Sequence, residues 1–388
     1  MQSNALGAPA KRREGGTVVR SVIHVGEIDY TILLVVAILG LIGVVMVFSS
    51  SYQTALSNFG DAYYYLKRQG LFFIAGLAAC AVMANFNYNY LRRWAFAIYT
   101  ISNFLLVLVL IIGISSHGAT RWIPVPIIGQ FQPSEVAKAG VIFFIAFLIS
   151  HKKDILLKWP TFILVMAAVA VTAGLVFLGN NMSTAIIVFI IGAGIIFMAC
   201  PYIWRFVIAG GSGVAALVAY LALTSSTDNF RAGRFAAWLA PEKDPMNTGY
   251  QVLQSLYAIA SGGMFGLGLG QSRQKTFLPE AHNDIIFSII CEELGFVGAA
   301  MILILFSVFI WRGVKIALNA PDTFSSLTAI GIVLLISSQV LINVAVVTNS
   351  IPNTGVPLPF VSYGGTSFLV AMGLVGVLLN ISRCAKKT

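Results

Sequence analysis

The chain has 388 residues, of which 58% are hydrophobic and only 10% are charged, and its mean hydropathy is +0.88. This composition excludes a soluble globular protein and is typical of a polytopic membrane protein. The net charge of +10 comes from lysines and arginines in short loops and tails, without a basic and aromatic stripe. We therefore interpret the charge as a topology signal and a contact with anionic lipid, and expect no nucleic-acid partner.

A polar, basic tail over residues 1–28 precedes the first apolar run and lacks a small-residue cleavage site, which predicts a cytoplasmic tail. Ten apolar runs, each on the order of 20 residues, then predict an all-α membrane domain over residues 29–382. A second cytoplasmic tail follows at residues 383–388. The predicted spans are 30–49, 70–84, 94–113, 134–150, 160–178, 183–200, 203–223, 284–311, 324–347 and 366–381.

The distribution of basic residues predicts the orientation. Fifteen lysines and arginines fall on the side of the N-terminal tail, against three in the short loops of the opposite side. Long loops count little in this comparison, so both termini are predicted to be cytoplasmic. The one long loop, residues 224–283 between the seventh and eighth spans, is then extracytoplasmic. Its aromatic residues argue against disorder, and residues 251–260 are predicted to form a short surface helix.

Cysteines and histidines give no sign of a disulfide framework or a metal site. The cysteines include no CxxC pair, and the histidines lack metal-ligand spacing. They are Cys80, Cys200, Cys291 and Cys384, and His24, His117, His151 and His282. We expect no structural metal and no required cofactor. A loosely held divalent cation such as Mg²⁺ or Mn²⁺ beside a phosphate substrate is a separate option.

Carboxylates at the start of the eighth span are the first functional candidates, because an ionised group in an apolar helix is costly unless it faces a cavity or a partner. Asp284 follows a proline-containing turn, and residue chemistry leaves two roles open for it: a general base facing the outer leaflet, or a helix N-cap. Glu292 and Glu293 point about 100 degrees apart on a helix and are not expected to share one groove. A buried structural role is predicted for Glu292.

Basic residues near the outer surface form the second group of candidates. Glu135 and Lys138 are three residues apart on one face of the fourth span, which favours an ion pair. The alternative is that Lys138 or Arg121 holds a pyrophosphate at headgroup depth. Arg231 and Arg234 are also three residues apart, in the long loop, and could receive an anionic headgroup.

Two segments are rich in glycine or proline. Glycines at 262, 263, 266, 268 and 270 permit unusual backbone conformations, although no phosphate-binding loop motif is present. Residues 352–366 contain three prolines and three glycines, so they are predicted to be non-helical. Such backbone is tolerated at membrane depth only inside protein or beside a wet cavity, and we expect it to dip between helices.

Taken together, these motifs resemble the SEDS family (shape, elongation, division and sporulation), whose members include FtsW, RodA and SpoVE. The resemblance covers nearly all of the chain after the tail, and the wording of residues 266–275 is closest to the FtsW and SpoVE branch. It rests on residues 120–123, 131–138, 231 with 234, 241, 244–245, 249–251, 254–255, 266–275, 278–280, 282–284, 292–295 and 359–367.

The resemblance implies a peptidoglycan glycosyltransferase of the bacterial cytoplasmic membrane, serving division or sporulation. Its substrate would be lipid II, a disaccharide-pentapeptide on undecaprenyl pyrophosphate, polymerised at the outer face. A class B penicillin-binding protein and other divisome proteins would be its partners. Asp284 matches the family's essential aspartate, the expected catalytic base. The residues that would bind substrate are Arg121, Glu135, Lys138, Arg231, Arg234 and Lys275.

Two other functions compete with this interpretation, and one motif departs from it. A lipid II flippase would distribute its polar groups on both sides of a midplane site, whereas the candidates here cluster on the outer side. A noncatalytic divisome scaffold would tolerate the loss of Asp284. Between the fifth and sixth spans, relatives usually carry an aspartate where this chain has Asn181. Either that acid is dispensable or the local outer loop packs differently.

Overall fold

In a computed structural model, described for residues 26–116, 119–125, 129–208, 210–211, 238–246 and 249–385, the chain is a bundle of long helices. The helices are α1 Tyr30–Phe59, α2 Tyr64–Asn85, α3 Tyr88–Ile112, α4 Pro133–His151, α5 Trp159–Leu178, α6 Met182–Ala199, α7 Tyr250–Gly262, α8 Ile286–Leu318, α9 Thr323–Val347 and α10 Gly365–Arg383. Single 3₁₀ turns occupy Lys153–Leu156, Pro241–Lys243 and Gln274–Thr276.

Nine of these helices, all except α7, are long and apolar enough to cross a membrane, counting only the described ranges. Nine of the ten predicted spans are thereby confirmed. The seventh, residues 203–223, lies mostly outside the described residues. The short helix predicted at 251–260 is α7. The all-α membrane fold is therefore confirmed.

Several helices extend beyond their predicted ends. The first span was predicted to end at residue 49, yet α1 continues to Phe59. Ser50 and Ser51 donate hydrogen bonds to the carbonyls of Met46 and Val47 at 2.7 and 2.6 Å, so their hydroxyls are satisfied within the helix. Gly60 then ends α1 in the left-handed conformation that favours glycine.

A small antiparallel sheet, which the sequence analysis did not predict, connects α3 and α4. Its strands are β1 Ile114–Ser116, β2 Ala119–Val125 and β3 Gly129–Phe131, in the order β1-β2-β3. Ile123 pairs with Phe131, and an irregularity interrupts the register of β1. This sheet carries Arg121, and Thr366 at the start of α10 donates to the carbonyl of Gln130 at 3.0 Å.

The start of α1 lies beside the ends of α8 and α10. Arg312 forms an ion pair with Asp29 at 2.7 Å, and the Ser382 hydroxyl accepts from the amide of Asp29 at 3.2 Å. The amide of Gly26 donates to the carbonyl of Arg383 at 2.7 Å. Both ends of the described chain therefore lie on one side of the bundle.

The segment 352–364 dips between helices, as its prolines and glycines predicted. Leu358 and Val361 are 1% and 0% exposed. The segment packs directly on α1, where a Cβ at Gly43 would lie 2.6 Å from the carbonyl oxygen of Phe360. Only glycine permits this approach, so Gly43 lets irregular backbone enter the bundle.

Helix α8 is interrupted at Gly295, whose φ of 67° and ψ of −170° are not helical. The glycine-rich segment 262–268 fills the interruption. The carbonyls of Glu292 and Glu293 accept from the amides of Leu267 and Gly268 at 2.9 and 3.0 Å. In return, the backbone amides of Phe296 and Val297 donate to the carbonyls of Gly263 and Met264. Polar backbone groups released by the break are thus paired inside the protein.

Candidate active site

Asp284 lies in the turn immediately before α8, half-buried. The N-cap position belongs to Ile285, one residue later, and not to Asp284. A Cβ added at Gly355 would lie 3.5 Å from Oδ2 of Asp284, so the carboxylate stands over the segment 352–364. Gly355 has a φ of 67°, a conformation for which glycine is suited. The turn and the dipping segment are therefore adjacent at the candidate base.

Asn343 of α9 joins these two pieces of backbone. Its side-chain amide donates to the carbonyls of Asp284 and Val356 at 2.7 and 2.8 Å, and the residue is 1% exposed. Because this buried amide donates to both carbonyls, it fixes the turn of Asp284 and the dipping segment relative to α9. Asn343 was not predicted from the sequence, because an isolated asparagine in an apolar span does not indicate its partners.

His282 also contributes to this region and was not among the predicted site residues. Its imidazole packs against the rings of Tyr65 and Tyr363, with centroid distances of 4.3 and 5.5 Å. Its carbonyl accepts from the amide of Tyr363 at 2.9 Å. Burial lowers the pKa of the imidazole from 6.5 to about 4. His282 is therefore neutral at pH 7. It connects α2, through Tyr65, to the turn of Asp284 and to the dipping segment at Tyr363.

This buried histidine predicts a loss of stability in mild acid. The unfolded imidazole binds a proton below about pH 6.5, whereas the folded one resists protonation down to about pH 4. The unfolded state thus binds more protons between these values, and stability falls as the pH falls. At about pH 5 the loss should reach roughly 2 kcal/mol relative to neutral pH.

Chemical unfolding of detergent-solubilised protein at about pH 7.5 and about pH 5 measures this effect. His282→Gln is the control, because it removes the titrating group and should lose the corresponding part of the pH dependence. If the stability of the wild type and of His282→Gln changes equally with pH, the acid sensitivity does not come from His282.

Glu135 and Lys138 form an ion pair inside the bundle. Nζ of Lys138 lies 2.8 Å from the Glu135 carboxylate, and the residues are 1% and 6% exposed. Pro133 lies in the first turn of α4, and the three-residue spacing of Glu135 and Lys138 places both side chains on one helix face. Glu135 lines a cleft of about 430 Å³ together with residues 357–360 and 362–364. The ion pair and Asp284 therefore border the same dipping segment.

Removing one member of this pair should be costly. Lys138→Met leaves a buried carboxylate without its cation, and we expect a loss of about 3 kcal/mol in unfolding free energy. The double variant Glu135→Gln, Lys138→Met buries no charge and should recover most of that loss. Recovery of both stability and activity would indicate a structural pair, whereas recovery of stability alone would assign at least one of the two residues to substrate. Unchanged stability in Lys138→Met would contradict the ion-pair energetics.

Arg121 reaches from β2 toward the start of α6, where its guanidinium donates to the carbonyl of Asn180. Arg121 lines a second cleft, of about 240 Å³, with Ser134, Asn181 and apolar residues of α3 and α5. Ser134 precedes Glu135 in α4, so the two clefts lie on either side of the first turn of that helix. Arg121 is therefore close to the cleft that Glu135 lines, but outside it.

Comparison with known proteins identifies this architecture. The family model of the FtsW, RodA and SpoVE cell cycle proteins matches residues 29–387. The chain belongs to this family. It is 40% identical to the "probable peptidoglycan glycosyltransferase FtsW" of Trichlorobacter lovleyi over 371 residues, 94% of this chain and 96% of that protein. It is also 40% identical to stage V sporulation protein E of Bacillus subtilis over 375 residues, 92% and 98% of the two chains.

Solved structures of the family have the same fold. A chain from a study of polymerization and crosslinking by a peptidoglycan synthase complex matches with a TM-score of 0.76 and 27% identity, covering 92% of this chain and 98% of that one. RodA of Thermus thermophilus matches with a TM-score of 0.68 and 24% identity, covering 93% and 98%. The resemblance to the FtsW and SpoVE branch is confirmed by the 40% identities.

Asn181 stands where the resemblance to the family led us to expect an acid. Asn181 is the N-cap of α6, and its side chain accepts from the amide of Thr184 at 3.3 Å. Asparagine and aspartate are both strong N-caps, so the helix start is kept while the negative charge is lost. The cleft beside Arg121 is correspondingly less acidic than an aspartate would make it.

Lys275 forms an ion pair with Glu293 at 3.5 Å and donates to the carbonyl of Gly270 at 2.6 Å. The structure therefore places Lys275 against α8, at Glu293, which is nine positions beyond Asp284. Its assignment to substrate remains a prediction. Arg231 and Arg234 lie outside the described residues, so their assignment also remains a prediction.

The two adjacent glutamates do converge on one segment, contrary to the expectation from helix geometry. Glu292 accepts from the hydroxyl of Ser272 and from the amide of Arg273, while Glu293 accepts from the amide of Ser272 at 3.4 Å and from the hydroxyl of Ser49. The segment wraps around α8, so it meets two faces of the helix. Both carboxylates are buried, and their hydrogen bonds agree with the structural role predicted for Glu292.

Proposed function

We propose that this chain is a peptidoglycan glycosyltransferase that polymerises lipid II at the outer face of the bacterial cytoplasmic membrane. The observation that carries the proposal is the position of Asp284, a half-buried residue at the entrance of a membrane helix. Its backbone carbonyl is held by Asn343, and its carboxylate lies near Gly355, in the segment whose later residues line the cleft of Glu135. Membership of the family and the names of the FtsW relatives support it. Both termini would then be cytoplasmic.

In this mechanism, Asp284 acts as the general base. Its carboxylate takes the proton from a hydroxyl of the acceptor sugar, and the hydroxyl oxygen forms a bond to the anomeric carbon of the donor. The bond from that carbon to the pyrophosphate breaks, and undecaprenyl pyrophosphate leaves with the bonding electrons. A group at the membrane entrance suits this reaction, because the sugars of lipid II lie in water while its polyprenyl chain stays in the bilayer.

The leaving pyrophosphate needs positive charge. Arg121 is the described cation that lines a cleft at the outer end of the bundle, and Arg231 and Arg234 are the further candidates. We propose that Lys138 acts mainly by holding Glu135, since its ammonium is buried against that carboxylate. Truncating Arg121 should therefore weaken donor use more than it changes stability.

We propose that the protein has no resident metal and that any divalent cation arrives with the pyrophosphate. Among the described residues, no three His, Cys, Asp or Glu side chains are placed to hold a metal ion. A chelator should then leave the unfolding temperature of the protein alone unchanged, and any dependence of polymerisation on Mg²⁺ or Mn²⁺ should arise only when lipid II is bound.

The partner is proposed to be a class B penicillin-binding protein within the divisome or a sporulation complex. One structural relative comes from work on a complex that polymerises and crosslinks peptidoglycan. The test is to purify this chain with and without such a partner, add lipid II, and separate the products on a gel. Glycan chains support the proposal. A folded complex that makes no polymer with any cognate partner overturns it, and transport of labelled lipid II across vesicles would then favour the flippase.

A further inference from the structure

An apolar surface surrounds the interruption of α8 on the outside of the bundle. Met264 and Phe265 of the glycine-rich segment are 59% and 80% exposed, and Phe296 and Val297 of α8 are 65% and 48% exposed. We call these four residues the outer apolar surface. Large exposed apolar side chains in one continuous area indicate a surface that binds something apolar.

The backbone beneath this surface is suited to a place within the bilayer. Irregular backbone at membrane depth requires that its polar groups be paired inside the protein. The exchange of hydrogen bonds between residues 263–268 and residues 292–297 provides this pairing at four points. A further bond joins the amide of Gly266 to the carbonyl of Gly262 at 2.8 Å. The segment therefore avoids the usual cost of placing a loop in hydrocarbon.

Charged residues give the depth of the surface. Arg312 is the first charged residue after Glu293 along α8, and it marks the opposite end of the span. A hydrocarbon layer about 30 Å thick corresponds to roughly 20 helical residues. Counting back from Arg312 by that number reaches Glu292, so Gly295 and the outer apolar surface lie just inside the outer edge of the hydrocarbon.

The sequence on either side of the glycine-rich segment agrees with this depth. No charged residue occurs between Asp244 and Arg273. Arg273, which is exposed, then follows the apolar stretch at the level where phosphate headgroups lie, while Lys275 pairs with Glu293 of α8. Apolar side chains followed by basic ones are the order expected for a segment that enters the outer leaflet and returns to its surface.

We propose that the outer apolar surface binds the acyl chains of outer-leaflet phospholipids, and that residues 263–269 are inserted in the membrane. Part of the segment between the seventh and eighth spans is then a membrane element that seals the interruption of α8 against lipid. This proposal does not depend on the glycosyltransferase activity, and its test measures membrane contact alone.

The test compares two added cysteines in the purified chain, reconstituted in nanodiscs without a partner. Phe265→Cys probes the surface, and Met246→Cys is the matched control, because Met246 is 82% exposed and follows the charged residues Lys243 and Asp244. The parent chain gives the background from its native cysteines. A charged, water-soluble maleimide should label Phe265→Cys about tenfold more slowly than Met246→Cys, since a thiol in hydrocarbon forms little thiolate. Equal rates would overturn the proposal.

A second measurement tests whether the outer apolar surface faces hydrocarbon or water. Phe265→Lys places a charge in the acyl layer and should lower the unfolding temperature in nanodiscs, whereas Phe265→Leu should not. Met246→Lys should leave the temperature unchanged. If Phe265→Lys unfolds at the same temperature as Met246→Lys, the surface faces water and the proposal fails.

Discussion

Asp284→Asn should abolish detectable polymerisation of lipid II, a loss of at least about 100-fold, because a positioned general base typically contributes 10²- to 10⁴-fold. Asparagine preserves the size of the side chain and much of its hydrogen bonding, but it cannot accept the proton. Asp284→Glu should retain partial activity, since it keeps a carboxylate and changes only its position. Rates of glycan formation with the partner present give the measurement.

The matched control is Glu280→Gln, in the same turn. Glu280 is exposed, and its carboxylate accepts a hydrogen bond from the side-chain amide of Asn283. Loss of its charge should leave polymerisation within about twofold of the wild type. All three variants should unfold at the wild-type temperature, which excludes misfolding as the cause. Polymer from Asp284→Asn at the wild-type rate would remove this residue from the mechanism.

Gly295→Ala, which adds a single methyl group, should strongly lower the free energy of unfolding. Its φ of 67° and ψ of −170° lie in a region that is essentially restricted to glycine. An added Cβ would also lie 2.3 Å from the amide nitrogen of Gly266, so the two paired segments would have to separate. We expect a loss of about 3 kcal/mol or more, measured as a large fall in unfolding temperature.

Gly174→Ala is the control for a methyl group added in a membrane helix. Gly174 lies within α5, and a Cβ there would meet nothing within 4 Å. Alanine should therefore be neutral, or stabilising by up to about 1 kcal/mol. If Gly295→Ala and Gly174→Ala unfold at the same temperature, the glycine-rich segment does not hold the interruption of α8 together.

The candidate site was only partly predictable from the sequence. Asp284, Glu135 and Lys138 could be identified because carboxylates and amines are conspicuous at the ends of apolar runs. Asn343 and His282 could not, because nothing local distinguishes Asn343 from an ordinary polar residue of a span, or His282 from an ordinary residue of a loop. Their roles come from partners 59 and 81 positions away, at Asp284 and Tyr363.

By itself, the sequence determined the membrane class, the predicted spans and the family. This was possible because a bilayer requires each spanning segment to pair its backbone within itself, so length and hydropathy are local signals. The prolines and glycines of residues 352–366 also predicted a dip between helices. Tertiary structure decided which helices receive the irregular backbone of residues 262–268 and 352–364. Their hydrogen bonds and close contacts are made with distant helices, at Gly43 and Gly295, and no local pattern specifies such pairings.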